Sequence, residues 1–218
     1  LEKPTATGLK FVGNTKVSAT ELTDEISLKK GAVYVASNQL LDERRIRELY
    51  LQKGYTNVKV SSQEIQNEDG IVVEFTISEG KPTVVSSIQF KGNEVVASKT
   101  LKGLLSLKEA SLFQKGAFQE TLLEADRQSI IRYYQDRGYV DADVVDIVRQ
   151  VNYNSEKDQD ELTIIFQIKE GAQLNYGGMV ISGNTVFSTE ELIALVVLKE
   201  GTVFNQTKFT ASVQAICD

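Results

Sequence analysis

The sequence predicts an α+β protein of tandem βααββ repeats, each a three-stranded mixed sheet packed on two helices. An apolar segment followed by Gly-Asn occurs three times, at Gly13-Asn14, Gly92-Asn93 and Gly183-Asn184. A Leu-Lys pair begins 15 residues after each of these glycines. Glu-Gly closes the first two copies, at Glu79-Gly80 and Glu170-Gly171, and 12 residues separate its glycine from the next Gly-Asn glycine. Offsets that stay fixed in this way indicate internal repeats.

Each copy is predicted to begin with a short apolar strand, at residues 9–12, 88–90 and 179–181. Gly-Asn ends this strand because glycine and asparagine tolerate the positive φ of a tight turn. A first helix follows. Its start is marked by the capping-box residues Ser18 and Glu21, which Ser188 and Glu191 repeat in the third copy.

A second helix is predicted at about residues 37–53 and 119–137. In the first copy Ile46, Leu49 and Tyr50 have the i, i+3, i+4 spacing of a buried stripe. A basic residue followed by Gly-Tyr marks the end of both helices, at Gly54-Tyr55 and Gly138-Tyr139.

The copies are aligned by an aromatic residue six positions after the leucine of Leu-Lys, namely Tyr34, Phe113 and Phe204. On this alignment the second copy is longer by five residues between Phe113 and Gly138, and by seven between Gly138 and Gly171. Length changes confined to two places are typical of loops around a fixed scaffold.

Two strands should complete each full copy, with hairpin turns near residues 67–70 and 154–160. The last strand is the most apolar, at 71–77 and 162–168, so it should lie in the middle of the sheet. The strand before it is charged and should be an edge.

These boundaries predict domains at residues 8–82 and 83–172 and a partial domain at 173–218. The third copy lacks the Gly-Tyr and the last two strands, so we expect a longer parent chain. The first linker, Glu79-Gly80-Lys81-Pro82, should be semi-rigid because proline fixes its own φ and restricts the residue before it. The second, which begins at Glu170-Gly171, has no proline and should bend more freely.

The composition excludes several classes of function. The 218 residues include no histidine and one cysteine, Cys217, which removes a histidine base, a Cys/His zinc site and an intrachain disulfide. The net charge of −6, with no basic stripe, argues against nucleic acid as a partner. We therefore expect that the chain is not an enzyme and that it binds neither a metal ion nor a cofactor.

The βααββ unit, with Gly-Asn after the first strand and Gly-Tyr after the second helix, resembles the POTRA (polypeptide-transport-associated) domain. Several copies in a row are similar to the N-terminal periplasmic arm of Omp85-family proteins. The resemblance implies the periplasmic face of the outer membrane of a diderm bacterium. It implies three partners: unfolded outer-membrane proteins, accessory lipoprotein subunits of the assembly machine, and a C-terminal membrane β-barrel of the same chain.

Within this family, we expect the second strands to bind an extended client, because an edge strand presents unpaired N–H and C=O groups. The candidate residues are Val58, Lys59, Val60, Ser61 and Ser62 in the first copy, and Asp143, Val144, Val145, Asp146 and Ile147 in the second. A groove near Leu40 and Ile46 is a second candidate contact. The opposing interpretation is that Asp143 and Asp146 keep their edge solitary, so the first copy is the better candidate.

Other functions remain open at this point. Translocation and assembly modules and two-partner secretion transporters also carry POTRA domains, and a cell-division protein carries one copy. A purely structural spacer would fit the same repeats. The Asp141, Asp143 and Asp146 cluster is interpreted as a solvated edge rather than a calcium site, because it lacks the calcium-loop pattern.

Overall fold

The computed structural model describes residues 5–217 and confirms the predicted order of elements in the first two repeats. The first repeat contains β1 (Ala6–Val12), α1 (Ala19–Glu25), α2 (Ala36–Gln52), β2 (Lys59–Asn67) and β3 (Gly70–Ser78). The second contains β4 (Thr83–Lys91), α3 (Ser98–Leu104), α4 (Glu120–Gln135), β5 (Asp143–Asn154) and β6 (Gln159–Lys169). In the third, the structure has two helices, α5 (Thr189–Ile193) and α6 (Gln206–Cys217).

Each full repeat has a three-stranded sheet with its last strand in the middle, as predicted. The strand orders are β1-β3-β2 and β4-β6-β5. In the first sheet β1 runs parallel to β3, and β2 pairs antiparallel with β3 from Lys59 opposite Ser78 to Asn67 opposite Gly70. Alternate β3 side chains enter the core and are at most 4% exposed: Ile71, Val73, Phe75 and Ile77. The second strand is an edge, as predicted, and the first strand is the other edge.

The predicted strand at residues 179–181 is wrong. The structure has no strand there, and the Val180 side chain is 96% exposed. In the first repeat, β1 is held by parallel pairing with β3. No equivalent of β3 occurs in the described part of the third repeat, so this segment has no strand to pair with.

The alignment through Phe113 is also wrong, since Phe118 is the structural equivalent of Tyr34 and Phe204. Isolated bridges join Thr5 to Val33, Val84 to Ala117 and Asn175 to Val203, and the aromatic residue follows the second member of each pair. Phe118 is 5% exposed, whereas Phe113 is 96% exposed at the tip of a loop. The five-residue insertion therefore lies before α4, between Leu107 and Phe118.

The capping-box prediction holds fully only in the third repeat. Ser188 accepts from the Glu191 N–H, and the Glu191 carboxylate accepts from the Ser188 N–H in return. Ser18 also accepts from the Glu21 N–H, but the Glu21 carboxylate forms an ion pair with Lys53 at 2.7 Å.

The Gly-Asn turns have one geometry in all three repeats. Gly13, Gly92 and Gly183 have φ between 81° and 88°. The neighbouring asparagine side chains donate to the carbonyl three residues on, from Asn14 to Val17 (3.0 Å), Asn93 to Val96 (2.8 Å) and Asn184 to Phe187 (2.8 Å). A Cβ at Gly13 would lie 2.1 Å from the Ile77 carbonyl oxygen. Only glycine therefore lets the end of β3 pass this close.

A carboxylate at the end of the central strand joins three elements of the first repeat. Glu79, 9% exposed, accepts from the Thr15 hydroxyl (2.5 Å), the Lys16 N–H (2.7 Å) and the Tyr50 hydroxyl (2.7 Å). Burial alone would raise the pKa of Glu79, but these hydrogen bonds outweigh it and lower the pKa below its usual value. Glu79 thus stays ionised and joins the Gly-Asn turn to α2.

The second repeat has the same contact. Glu170 accepts from the Val95 N–H at 3.0 Å and from the Tyr134 hydroxyl at 2.7 Å. In both repeats the tyrosine of Gly-Tyr packs edge-on against the bonded tyrosine. The ring centroids of Tyr50 and Tyr55 are 5.7 Å apart, and those of Tyr134 and Tyr139 are 6.0 Å apart. We call the contact of glutamate, helix tyrosine and Gly-Asn turn the carboxylate clasp.

In every repeat, a buried polar residue of the second helix accepts hydrogen bonds from the loop that follows the first helix. Asp42, fully buried, accepts from the backbone N–H groups of Ser27 (2.8 Å) and Leu28 (2.9 Å). Asp126 accepts from the Ser106 N–H at 2.5 Å, and Ser212 accepts from the Val197 N–H at 3.0 Å. Among these donors, the Leu28 N–H belongs to a buried residue and would lose its partner without Asp42.

Contacts group the chain into two compact units that divide the second repeat. The first unit extends to Ser86 and includes Leu107–Gln119 and Val151–Leu162. The second unit contains Ser87–Ser106, Glu120–Gln150 and the chain from Thr163 onward. The core of the first repeat is formed by its own side chains, from Ala6 to Ile77.

Replacing Glu79 by glutamine should destabilise the first repeat by about 1–3 kcal/mol at pH 7, because the amide replaces one of the two accepting oxygens by an NH2 donor that faces an existing donor. The folded-state pKa of Glu79 is lowered, so its stabilisation is complete above the unfolded-state pKa and is lost as the pH falls through the folded value. The difference between wild type and Glu79→Gln should therefore shrink in acid. Urea unfolding at neutral pH and in steps down to about pH 3 measures it.

Glu68→Gln, in the exposed hairpin turn, is the matched control and should unfold like the wild type. Tyr50→Phe keeps the buried ring and removes one donor to Glu79, so it should cost about 1 kcal/mol. Identical urea midpoints for Glu79→Gln and wild type at pH 7 would contradict this role of the clasp.

The fragment 1–82 should fold alone, because the first core draws on no side chain beyond Ile77. Circular dichroism and amide NMR dispersion of the isolated fragment test this expectation. An unfolded fragment would show that the segments from the second repeat, Leu107–Gln119 and Val151–Leu162, are required for folding of the first unit.

Candidate strand-binding edge and repeat joints

The outer edge of β2 carries four of the five candidate residues of the first repeat. Val60 is buried, Ser62 is half-buried, and Lys59 and Ser61 are exposed. Val58 is buried and immediately precedes the strand. Among the described residues, no side chain bonds to the backbone of residues 58–62. Since β3 pairs with one side of β2, the other side remains available to a further strand.

Helix α2 holds the inner face of β2 through polar contacts. Gln39 donates to the Ser62 hydroxyl at 2.7 Å, and that hydroxyl donates to the Glu43 carboxylate. The Tyr34 hydroxyl lies 2.5 Å from Glu64 Oε1. Burial, with the Glu64 carboxylate beside it, raises the pKa of Tyr34 to about 12, so the phenol stays a donor at neutral pH. The strand is thereby fixed to the helix while its edge stays free.

The edge of β5, predicted as the second binding segment, is already occupied in part by side chains. The Arg127 guanidinium donates to the Val144 carbonyl at 3.3 Å and contacts the Asp143 carboxylate at 3.4 Å. The Asp146 carboxylate accepts from the Ile147 N–H at 2.8 Å. Two backbone groups of this segment therefore already have hydrogen-bond partners within the chain. The Val145 residue between them is 56% exposed.

The predicted groove near Leu40 and Ile46 is wrong for Ile46. Its side chain is fully buried in the first core and cannot contact a partner, whereas Leu40 is 60% exposed. Both residues lie on α2, and Ile46 belongs to the buried stripe that the sequence itself indicated.

The two joints between repeats share one backbone contact. The Thr83 N–H donates to the Gly54 carbonyl, and the Leu174 N–H donates to the Gly138 carbonyl, both at 2.8 Å. At the first joint Gln119 donates to the Gln52 carbonyl at 3.2 Å.

The second joint has a comparable side-chain bond, from Asn205 to the Asp136 carbonyl at 2.8 Å. The glycines that precede the joints, Gly80 and Gly171, have φ of 68° and 74°. The second joint is thus hydrogen-bonded as well, although it lacks a proline. Its greater flexibility stays a prediction.

The roles of Asp42 and Asp126, and the hydrogen bonds of Glu79 and Glu170, were not predicted from the sequence. A signal was present for the aspartates, because Asp42 and Asp126 each lie four residues before an isoleucine of the buried helix stripe. For the glutamates, the signal was the fixed offset of Glu-Gly, which was interpreted only as the end of a strand. None of the helices within residues 5–217 has the length and apolar character needed to cross a membrane.

Comparison with family models gives three matches to POTRA, described as "Surface antigen variable number repeat", at residues 4–80, 83–171 and 175–218. A Treponema pallidum (strain Nichols) protein whose name assigns it to outer membrane protein assembly is 41% identical over 217 residues. The aligned region is 100% of this chain and 26% of that protein. Outer membrane protein assembly factor BamA of Neisseria meningitidis serogroup B (strain ATCC BAA-335 / MC58) is 24% identical, over 97% of this chain and 27% of its own length. The chain thus spans about a quarter of these relatives.

The fold is shared with a solved structure of Haemophilus influenzae BamA POTRA3-5. The TM-score is 0.56 at 20% identity, covering 96% of this chain and 83% of that one. The family matches together cover nearly the whole sequence, and each full match coincides with one βααββ repeat. The chain therefore belongs to the POTRA family, and its repeats are homologous to the POTRA domains of BamA proteins.

Proposed function

We propose that this chain is the periplasmic client-binding and scaffolding module of an outer-membrane β-barrel assembly machine. In this role it binds unfolded outer-membrane proteins, and accessory subunits of the machine, by strand addition at β2. The observation that carries the proposal is the free edge of β2, whose residues 58–62 have no side-chain partner on their backbone among the described residues. The named function of the BamA relatives supports the choice of client.

Strand addition suits such a client because main-chain pairing is largely independent of side-chain sequence. An unfolded outer-membrane protein supplies many segments of about ten residues with alternating apolar and polar side chains. The contacts of Ser62 with α2 and of Glu64 with Tyr34 keep the edge in a strand conformation before binding, which lowers the ordering cost.

The first repeat is the preferred site within the chain. In the second repeat, Arg127 and Asp146 bond to the backbone of the corresponding strand, so a client would have to displace them. Each edge contact should be weak, and several repeats of the whole protein would raise the effective concentration of the client. This role needs binding and positioning, not catalysis.

Amide NMR titration of the full chain with a synthetic outer-membrane β-strand peptide of about ten residues tests the edge. Shifts should concentrate in residues 58–63. Val60→Pro and Ser61→Pro form the decisive pair, because neighbouring N–H groups of a strand point to opposite sides. A proline that removes an N–H bonded to β3 lowers the unfolding midpoint, whereas one that removes an outward N–H keeps the wild-type midpoint. The variant with the wild-type midpoint should bind the peptide about tenfold more weakly, a loss of about 1.4 kcal/mol in binding free energy.

Val144→Pro and Val145→Pro, at the corresponding positions of β5, are the matched controls and should leave peptide affinity unchanged. If the shifts scatter over the helices and neither β2 proline alters affinity, binding at this edge is wrong. A scaffolding role would survive that result.

A further inference from the structure

The hairpin of the second repeat is longer than that of the first. Strands β5 and β6 have 12 and 11 residues, whereas β2 and β3 have nine each. This extra length corresponds to the seven-residue insertion between Gly-Tyr and Glu-Gly. Neither the shared core nor the strand-binding edge uses it.

The tip of the longer hairpin contacts the linker that follows β3. The Asp160 N–H donates to the Pro82 carbonyl at 2.9 Å. The Lys81 ammonium lies 3.1 Å from Asp158 Oδ1 and 3.5 Å from the centroid of the Tyr153 ring. The Tyr153 hydroxyl in turn donates to Asp158 Oδ1 at 2.8 Å. Lys81, Tyr153 and Asp158 therefore form a closed triangle, which we call the joint latch.

The grouping of contacts along the chain also places the hairpin tip with the linker. Val151–Leu162, the end of the hairpin, belongs to the compact unit that contains the first repeat. The remaining parts of β5 and β6 belong to the other unit. The hairpin tip is therefore grouped with the linker and the first repeat, although it belongs to the second repeat in the sequence.

The chemistry of the joint latch makes it reversible. The side chains of Lys81 and Asp158 are 43% and 74% exposed, so dissolved ions can compete for both charges. The Tyr153 hydroxyl and the Lys81 ammonium lower the pKa of Asp158, which is ionised at neutral pH. Asp158 has a φ of 48°, a conformation that aspartate and asparagine adopt more readily than most residues.

We propose that the joint latch is a salt-sensitive contact that fixes the first linker to the tip of the β5–β6 hairpin. When dissolved ions screen its ion pair, this joint becomes more mobile while both repeats stay folded. A single exposed ion pair would do little. Here the ion pair acts together with an aromatic ring and a neighbouring backbone hydrogen bond. The Thr83 N–H already bonds to the Gly54 carbonyl at this joint, so the three side chains need to add only a small further stabilisation. The inference does not depend on strand binding at β2.

Amide hydrogen exchange of the full chain, followed residue by residue by NMR, tests the joint latch. The reporting amides are those of Asp160 and Thr83, which bond to the Pro82 and Gly54 carbonyls. The Leu174 amide, which bonds to the Gly138 carbonyl at the second joint, is the internal reference. Asp158→Asn keeps the shape and the accessible φ but removes the charge, and Lys81→Met removes the other charge.

Both variants should speed exchange of the two reporting amides about two- to fivefold, as expected for one exposed ion pair, and leave Leu174 unchanged. Raising the salt from about 0.01 M to about 1 M shortens the Debye length from about 30 to about 3 Å. This change should speed exchange of the reporting amides in the wild type but have little effect in Asp158→Asn.

Lys157→Met is the matched control, because Lys157 pairs only within the hairpin, with Glu161 at 3.7 Å. It should leave both reporting amides unchanged. The inference is overturned if Asp158→Asn and Lys81→Met exchange like the wild type. It is also overturned if Leu174 accelerates equally, since the effect would then be general loosening.

Discussion

The carboxylate clasp is the contact on which each full repeat depends. Glu79 ends the central strand, and its two oxygens accept from the Gly-Asn turn and from Tyr50 of α2. A buried carboxylate that loses its donors is costly, so these three elements are held in one arrangement. The clasp also explains the repeat in the sequence. Gly-Asn, Gly-Tyr and Glu-Gly recur in the same order in both full repeats, although the spacings between them differ, because each contributes to one contact. Tyr55 completes this contact by packing against Tyr50.

The same arrangement leaves the second strand at an edge, and the two repeats treat that edge differently. In the first, Gln39 of α2 holds the Ser62 side chain, and the strand backbone stays free. Tyr34, which lies just before α2, contacts the Glu64 side chain. In the second, the residue that follows the buried aspartate is Arg127 rather than Glu43, and its guanidinium reaches the Val144 carbonyl. A carboxylate cannot donate to a carbonyl, so this one difference in residue type separates a free edge from a partly closed one.

Periodicity predicted the order of elements and the central position of the last strand, because burial on a helix or a strand leaves its period in the sequence. Periodicity could not distinguish Phe113 from Phe118, since each is an aromatic residue at a plausible spacing and only the bridge from Val84 to Ala117 decides. The role of Asp42 was missed for another reason. Its position one turn before Ile46 indicates burial, but its partners are backbone N–H groups of a loop, which the sequence does not identify. The edge strands were predictable in position, and Asp146 was already named as a residue that could block β5, but the contact of Arg127 from α4 with the β5 backbone was not predicted.

The two insertions of the second repeat support the view that length has changed where repeats meet. One lies between Leu107 and Phe118, and the other lengthens the β5–β6 hairpin. Both fall within segments that the contacts assign to the unit of the first repeat, Leu107–Gln119 and Val151–Leu162. The core and the carboxylate clasp cannot accept extra residues without breaking fixed contacts, whereas a loop at a joint can. A duplicated scaffold of this kind can therefore keep one core in every repeat and adjust each joint separately. Here the lengthened hairpin supplies Tyr153 and Asp158, which contact Lys81 of the linker.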